Sequence, residues 1–288
     1  MKEKSVLRTF PAAKMDMGGI PVYQPFPTAR VEQIDPFLLF HHSTINVKEG
    51  SAPLHAGVGP HPHRGFMPLT YVVKGSLHHR DSFGNSSVIS EGGAQWLSAG
   101  RGIIHSERPS REIALNGGSV EVLQIWINLP KSHKMETPWY RGLEKDDLVS
   151  LDSPEGVTAR LISGNYEGVK GPIQTPFPMF VMSIQGEKGS SGSFKLPTNM
   201  KGGIYVIEGF GKMGGFGLIE EKTFYELDEA GEEMNLQFNS DFHAILLLGE
   251  PLNEPLATYG PFVMNSQTEV LEAMRDYNQG KMGILIEE

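Results

Sequence analysis

Cysteine is missing from all 288 residues. That absence removes disulfides, thiolate nucleophiles and cysteine-held zinc or iron–sulfur centres. Any metal must be held by nitrogen and oxygen donors. Long apolar runs are missing too. AILLL at 244–248 falls far short of the roughly 20 residues that cross a bilayer. The opening MKEKSVLRTFPAAKM has basic residues but no apolar run of secretory-signal length. A soluble cytoplasmic protein without membrane contacts is the expectation, and the Asn85-Ser-Ser sequon is then chance. Basic runs are also absent. At net charge −9 and pI about 5.6, the chain lacks the clustered Lys/Arg that displace counterions from nucleic acid, so no direct nucleic-acid binding is expected.

Glycine and proline are plentiful, 34 and 20 residues. That suits short strands joined by tight turns better than a helical protein. FLLF (37–40), LTYVV (69–73), AQWLS (94–98) and EVLQIWINL (121–129) read as strands. KEGS, DSFGN and EGG punctuate them. YVVKG at 71–75 returns as YVIEG at 205–209, and SEGG at 90–93 returns as DEAG at 228–231. Two echoes in the same order, 134 and 138 residues apart, imply two copies of one strand-built unit. The expected fold is therefore all-β: two tandem antiparallel β-barrels, an amino-terminal one over 1–135 and a carboxy-terminal one over 136–288. The polar stretch 129–148 contains the linker. Ser266-Gln-Thr-Glu269 reads as a capping box opening a short C-terminal helix with Val270, Leu271, Met274 and Tyr277 on its apolar face and Gly280 as its stop.

The chemistry gathers in the first copy. In GVGPHPHRGF, His61 and His63 stand two apart, so on a strand they share one face. RGIIHSERP offers His105 and Glu107 at the same spacing. Two such strands converging inside a barrel would supply three imidazoles and a carboxylate, with positions left open on a six-coordinate ion. Nine of ten histidines lie at or before residue 133. Only His243 follows; the 138 offset puts it in the place of His105, with Ile245 for Glu107, and the 134 offset puts Lys195 and Pro197 in the places of His61 and His63. A first unit with a metal and a second without one is the expectation. A plainer alternative stays open: an HxH pair on an edge strand at the surface, and His105 and Glu107 as an ordinary hydrogen-bonded pair. GFGKMG at 209–214 matches a dinucleotide fingerprint but lacks the following helix, and reads as a hairpin turn. His78 and His79 are expected at the surface, Trp96 and Trp126 in the core, and Arg64 on the face opposite His63.

HPHRGF, TYVVKGSLHHRDSFGN, QWLSAGRGIIHSERP, DPFLLF and GPFVMN resemble the pirin family of the cupin superfamily, densely over residues 20–135 and again over 249–280. The resemblance implies a bicupin with a metal, often iron, in the first barrel, held by His61, His63, His105 and Glu107. Bacterial pirin-like proteins cleave the flavonol quercetin with dioxygen, whereas the mammalian relative is a nuclear modulator of transcription factors. Two departures stand out. Met67 occupies a position where many cupins place a glutamate, with consequences for metal tuning or substrate choice, and HHSTIN follows DPFLLF, putting His41 and His42 either at the site or in an exposed loop. Fe(II) is the ion the resemblance favours; the donors also suit Mn, Co, Ni, Cu or Zn. The leading expectation is a quercetin 2,3-dioxygenase-like enzyme whose Glu107 takes the substrate's hydroxyl proton, with a small aromatic substrate and dioxygen as partners. The rival is a redox-sensing regulator that binds a partner enzyme or transcription factor, and a third reading is a metal-stabilised barrel without a reaction. An open apolar cavity at the metal favours the enzyme; a plugged one favours the regulator. Two barrels in one chain give the expectation of a monomer.

Overall fold

The computed structural model describes residues 2–52 and 56–287. Strands dominate, and the chain divides into two compact units. The carboxy-terminal unit comprises Met1–Lys14, Tyr23–Phe37 and Leu148–Leu252, and the amino-terminal unit comprises Met15–Val22, Leu38–Asp147 and Asn253–Glu288. A division at 135/136 therefore changes in several places. Strand Trp139–Leu143, inside the expected linker, pairs with Ala94–Ser98 as an edge of the amino-terminal unit. Strand Val6–Pro11 takes the corresponding edge of the other unit, pairing with Thr223–Leu227. These two sheets each take an edge strand from across the 135/136 boundary.

Each unit holds one seven-stranded and one four-stranded antiparallel sheet. The expected class is correct, but the sheets are not closed barrels. Strand Val58–His63 shows one reason. Pro60 and Pro62 carry no N–H, so this strand pairs with Ile103–Pro109 and ends its sheet.

Strand order relates the units position by position. Strand Phe66–Lys74 sits between Ala94–Ser98 and Gly118–Asn128, and strand Lys201–Glu208 sits between Thr223–Leu227 and Phe242–Gly249. The Tyr71/Tyr205 echo thus marks true equivalents. The second echo does not. Tyr71 pairs with Ala94 and Tyr205 with Phe224, so the SEGG turn corresponds to Glu220–Thr223 and DEAG lies beyond it. GFGKMG, expected to be a hairpin turn, instead supplies the first strand of a hairpin: Phe210–Met213 pairs with Gly217–Glu220, and the turn begins at Gly214.

The C-terminal helix runs Gln267–Asn278, with the Ser266 hydroxyl accepting from the Glu269 N–H. The Glu269 carboxylate accepts from the Asn265 N–H, one residue before the box position. The helix belongs to the amino-terminal unit, where Val270 and Ala273 are buried while Leu271 is exposed. Among the described residues, no helix is long and apolar enough to cross a membrane.

Candidate metal centre

Two glycines fix the ends of the strand that carries the histidine pair. Gly57 has φ +78°, and a Cβ there would stand 2.5 Å from the Glu107 carbonyl oxygen. Gly65 has φ +85°, and a Cβ would stand 2.0 Å from the Val263 carbonyl oxygen. Only glycine tolerates both the left-handed backbone and the close approach. The Lys134 ammonium, buried, donates to Gly65 O at 2.6 Å and Val263 O at 3.1 Å, locking this crossing. Arg64 is structural, as expected: its guanidinium donates to Arg101 O and pairs with Asp276 of the C-terminal helix at 3.1 Å.

With the strand ends fixed, register brings the imidazoles together. His105 pairs directly with His61, and Ile103 with His63. One ring nitrogen from each of His61, His63 and His105 lies within 4.8 Å of the others, the one such group of three among the described residues. The ring centroids stand 4.4–4.8 Å apart. Their remaining nitrogens are engaged elsewhere. His61 Nδ1–H donates to Gly59 O at 2.8 Å, the Pro261 carbonyl hydrogen-bonds the His63 ring, and His105 Nδ1 meets His79 Nδ1 at 3.4 Å.

Glu107 does not join the triangle. A register shift after His105 sets it opposite Val58. Its Oε1 accepts from Thr70 Oγ1 at 2.8 Å and from Gln95 Nε2, and the carboxylate lines the same cavity as His61 and His63. The Gln95 carbonyl in turn accepts from Tyr140 Oη at 3.3 Å.

Burial pushes the His63 and His105 rings well below the ordinary imidazole range, reinforced by the neighbouring rings. Both are therefore neutral and ligand-competent at neutral pH. His63 Nδ1 and His105 Nε2 are buried without a protein partner among the described residues. Two orphaned neutral ring nitrogens, converging with a third, are what a divalent ion with nitrogen donors requires. The donor set fits a metal.

The cavity above the triangle measures about 610 Å³. Its wall is largely apolar: Ile20, Val22, Leu39, Ile45, Val122 and Trp126. Trp126 is not simple core, since its ring packs on His63 with centroids 5.5 Å apart. His41 also lines the wall, burial lowering its pKa to about 4, while His42 points elsewhere and pairs with Glu121 at 2.7 Å. Neither is an exposed loop residue. Met67 is outside the lining; its sulfur accepts from buried Trp96 Nε1 at 3.5 Å. His78 is half-buried, but His79 is fully buried, contrary to expectation.

The other unit has a concavity of about 470 Å³ lined by Pro176, Phe177, Pro178 and Met200 among others, with no histidine in its wall. Strand register explains the contrast. Phe194 pairs with Met234, and Met213 with Leu236, as His61 pairs with His105 and His79 with Glu107. Phe194, Leu196, Met234 and Leu236 thus stand where His61, His63, His105 and Glu107 stand, and all four are buried in an apolar cluster. The equivalences expected for Lys195 and Pro197 are each one residue off. His243 belongs to strand Phe242–Gly249, the counterpart of Gly118–Asn128, and is not the equivalent of His105.

Comparison with known proteins agrees with this picture. The sequence matches the Pirin profile over residues 19–127 and the Pirin C-terminal cupin domain profile over 181–283. It is 34% identical to Pirin of Rattus norvegicus over 258 residues, covering 88% of this chain and 84% of that protein. Pirin-1 of Arabidopsis thaliana is 36% identical over 255 residues, 87% and 84% of the two chains. A crystal structure titled quercetin 2,3-dioxygenase from Acinetobacter baumannii superposes with a TM-score of 0.90 at 35% identity, covering 99% of this chain and 100% of that one. With two cupin domains and an imidazole triangle in the first, this chain belongs to the pirin family.

Proposed function

We propose that the chain is a metal-dependent dioxygenase of the quercetin 2,3-dioxygenase type, with one divalent ion, Fe(II) foremost, held by His61, His63 and His105, and the Glu107 carboxylate beside it. The observation that carries the reading is the cavity of about 610 Å³ lined by His61 and His63 of the imidazole triangle and by Glu107. Its volume falls in the roughly 300–1,000 Å³ typical of small-molecule sites. An open, apolar space supports a substrate more than a regulator's plugged core. The similarity to a protein titled quercetin 2,3-dioxygenase supports the substrate class.

The bound ion would supply Lewis acidity and redox chemistry toward dioxygen. The chain's own residues do the rest. Ile20, Val22, Leu39 and Val122 receive the flat rings of a flavonol and exclude water. Trp126, fixed against His63 and Phe66, presents an aromatic face at the site. Glu107 accepts the proton of the hydroxyl adjacent to the ring carbonyl. Thr70 and Gln95 both engage Oε1, and Oε2 is the atom to which the proton is assigned.

Oxygen uptake by the iron-loaded protein with quercetin tests the proposal. Stoichiometric consumption of dioxygen and flavonol is expected. No turnover, with iron demonstrably bound, removes this substrate class.

A further inference from the structure

Against His105 of the imidazole triangle lies a further buried histidine with no role in the reading above. His79 is fully buried, and its ring stacks on Tyr140 with centroids 3.8 Å apart and planes 5° apart. Tyr140 is itself held by hydrogen bonds to Ser87 at 2.6 Å and to Gln95 at 3.3 Å. The plane of the His79 ring is therefore fixed. Its Nε2 faces Asp81 Oδ2 at 3.2 Å and its Nδ1 faces His105 Nδ1 at 3.4 Å.

We infer that Asp81 and His79 form a relay that sets the tautomer of His105, leaving its Nε2 lone pair aimed at the metal position. The protons follow one from another. Asp81 accepts from every partner it has here: Oδ1 from the Phe83 and Asn85 N–H groups at 2.9 and 3.0 Å, Oδ2 from Asn85 Nδ2 at 2.7 Å and from His79. A carboxylate has no proton to give, so a neutral His79 carries its proton on Nε2. Its Nδ1 then carries a lone pair. The contact between His79 Nδ1 and His105 Nδ1 needs one proton, and His105 must provide it. The other nitrogen of a neutral His105 is left bare. That nitrogen, Nε2, is the one the structure leaves buried without a protein partner. His79 and Asp81 are thus positioning residues acting through His105.

The second unit supports the assignment by contrast. Met213, in its apolar cluster, occupies the place of His79. Where no imidazole needs a fixed tautomer, the relay is missing too.

The inference rests on His105 being a ligand, yet its first readout needs neither metal nor turnover. In Asp81→Asn the side-chain oxygen must stay on the two backbone N–H groups, which turns the new amide NH₂ toward His79 Nε2. His79 is then driven to carry its proton on Nδ1, and His105 to carry its own on Nε2. Long-range ¹H–¹⁵N spectra of the metal-free protein report the tautomer directly. The wild type should show His105 protonated on Nδ1, and Asp81→Asn should show it on Nε2. Co(II) affinity, read from absorption titration, should fall by about 10- to 100-fold in that variant. His79→Phe keeps the stack on Tyr140 but deletes both nitrogens, and should weaken Co(II) binding comparably. His79→Asn restores an acceptor near the Nδ1 position and should recover most of the affinity. An Nδ1–H tautomer of His105 persisting in Asp81→Asn, or Co(II) affinity within twofold of wild type in both Asp81→Asn and His79→Phe, overturns the inference. A wild type that binds no Co(II) would instead refute the metal site while leaving the tautomer measurement to judge the relay.

Discussion

In the amino-terminal unit, His61, His63 and Glu107 line a cavity with His105 grouped against the two imidazoles, backed by Thr70, Gln95 and Gln124. At the same places in the carboxy-terminal unit the ladder sets Phe194, Leu196, Met234 and Leu236, backed by Ile204, Tyr225 and Leu246. The strand order, the seven-plus-four sheet arrangement and the central Tyr-Val pair are shared. Backbone architecture therefore does not decide whether a unit carries chemistry. A few inward positions do, and they change together: an imidazole cluster needs polar neighbours to satisfy its remaining nitrogens and carboxylate, while an apolar core tolerates none of them.

The comparison can be broken by removing the site from one unit. His105→Ala should lower metal affinity on the order of a hundredfold or more, because an ion left with two imidazoles is poorly held. Equilibrium titration with Co(II) measures it, and unchanged affinity would move the site elsewhere. Glu107→Gln keeps the shape but not the basicity of the carboxylate. With metal held saturating, kcat toward quercetin should drop about 10²- to 10⁴-fold, measured by oxygen uptake.

Installing the site in the other unit sharpens the same contrast. Phe194→His, Leu196→His and Met234→His together bury three imidazoles among apolar side chains, which should cost roughly 3 kcal/mol or more. Co(II) should restore part of that loss in thermal unfolding, since metal binding to the folded state adds stability. Destabilisation without any metal-dependent recovery would show that the register equivalence is wrong.

The smallest effect concerns pH. The folded-state pKa values of His63 and His105 lie below the unfolded value near 6.5. As pH falls beneath that value, the unfolded chain takes up protons that the folded chain refuses. Stability of the metal-free protein should thus be level above about pH 6.5 and decline below it, by at most about 1.4 kcal/mol per pH unit for each ring. Denaturant midpoints between pH 5 and 8 check the sign. The His105→Ala variant should show a shallower decline than wild type.

Much of this was legible in the chain itself. Period-two spacing was enough to place His61 beside His63. The Tyr-Val echo located the repeat. What failed did so for identifiable reasons. DEAG resembles SEGG because acidic and glycine residues recur in turns of many kinds, so shared composition does not establish equivalence. A constant offset does not find the place of His243, because it ignores differences in loop length that the hydrogen-bond ladder resolves strand by strand. His79 looked exposed because HHRD precedes a turn. Its burial comes from Tyr140, an edge-strand residue distant in sequence. The pairing of Val6–Pro11 with Thr223–Leu227 was equally hidden, since it depends on which sheet edge lacks a partner.

The most direct measurement is anomalous diffraction from crystals of the metal-loaded protein. The account expects one strong peak per chain, about 2.0–2.2 Å from one ring nitrogen each of His61, His63 and His105, and none among Phe194, Leu196 and Met234. A peak bound by other residues, or no peak after loading with a divalent metal, would contradict it.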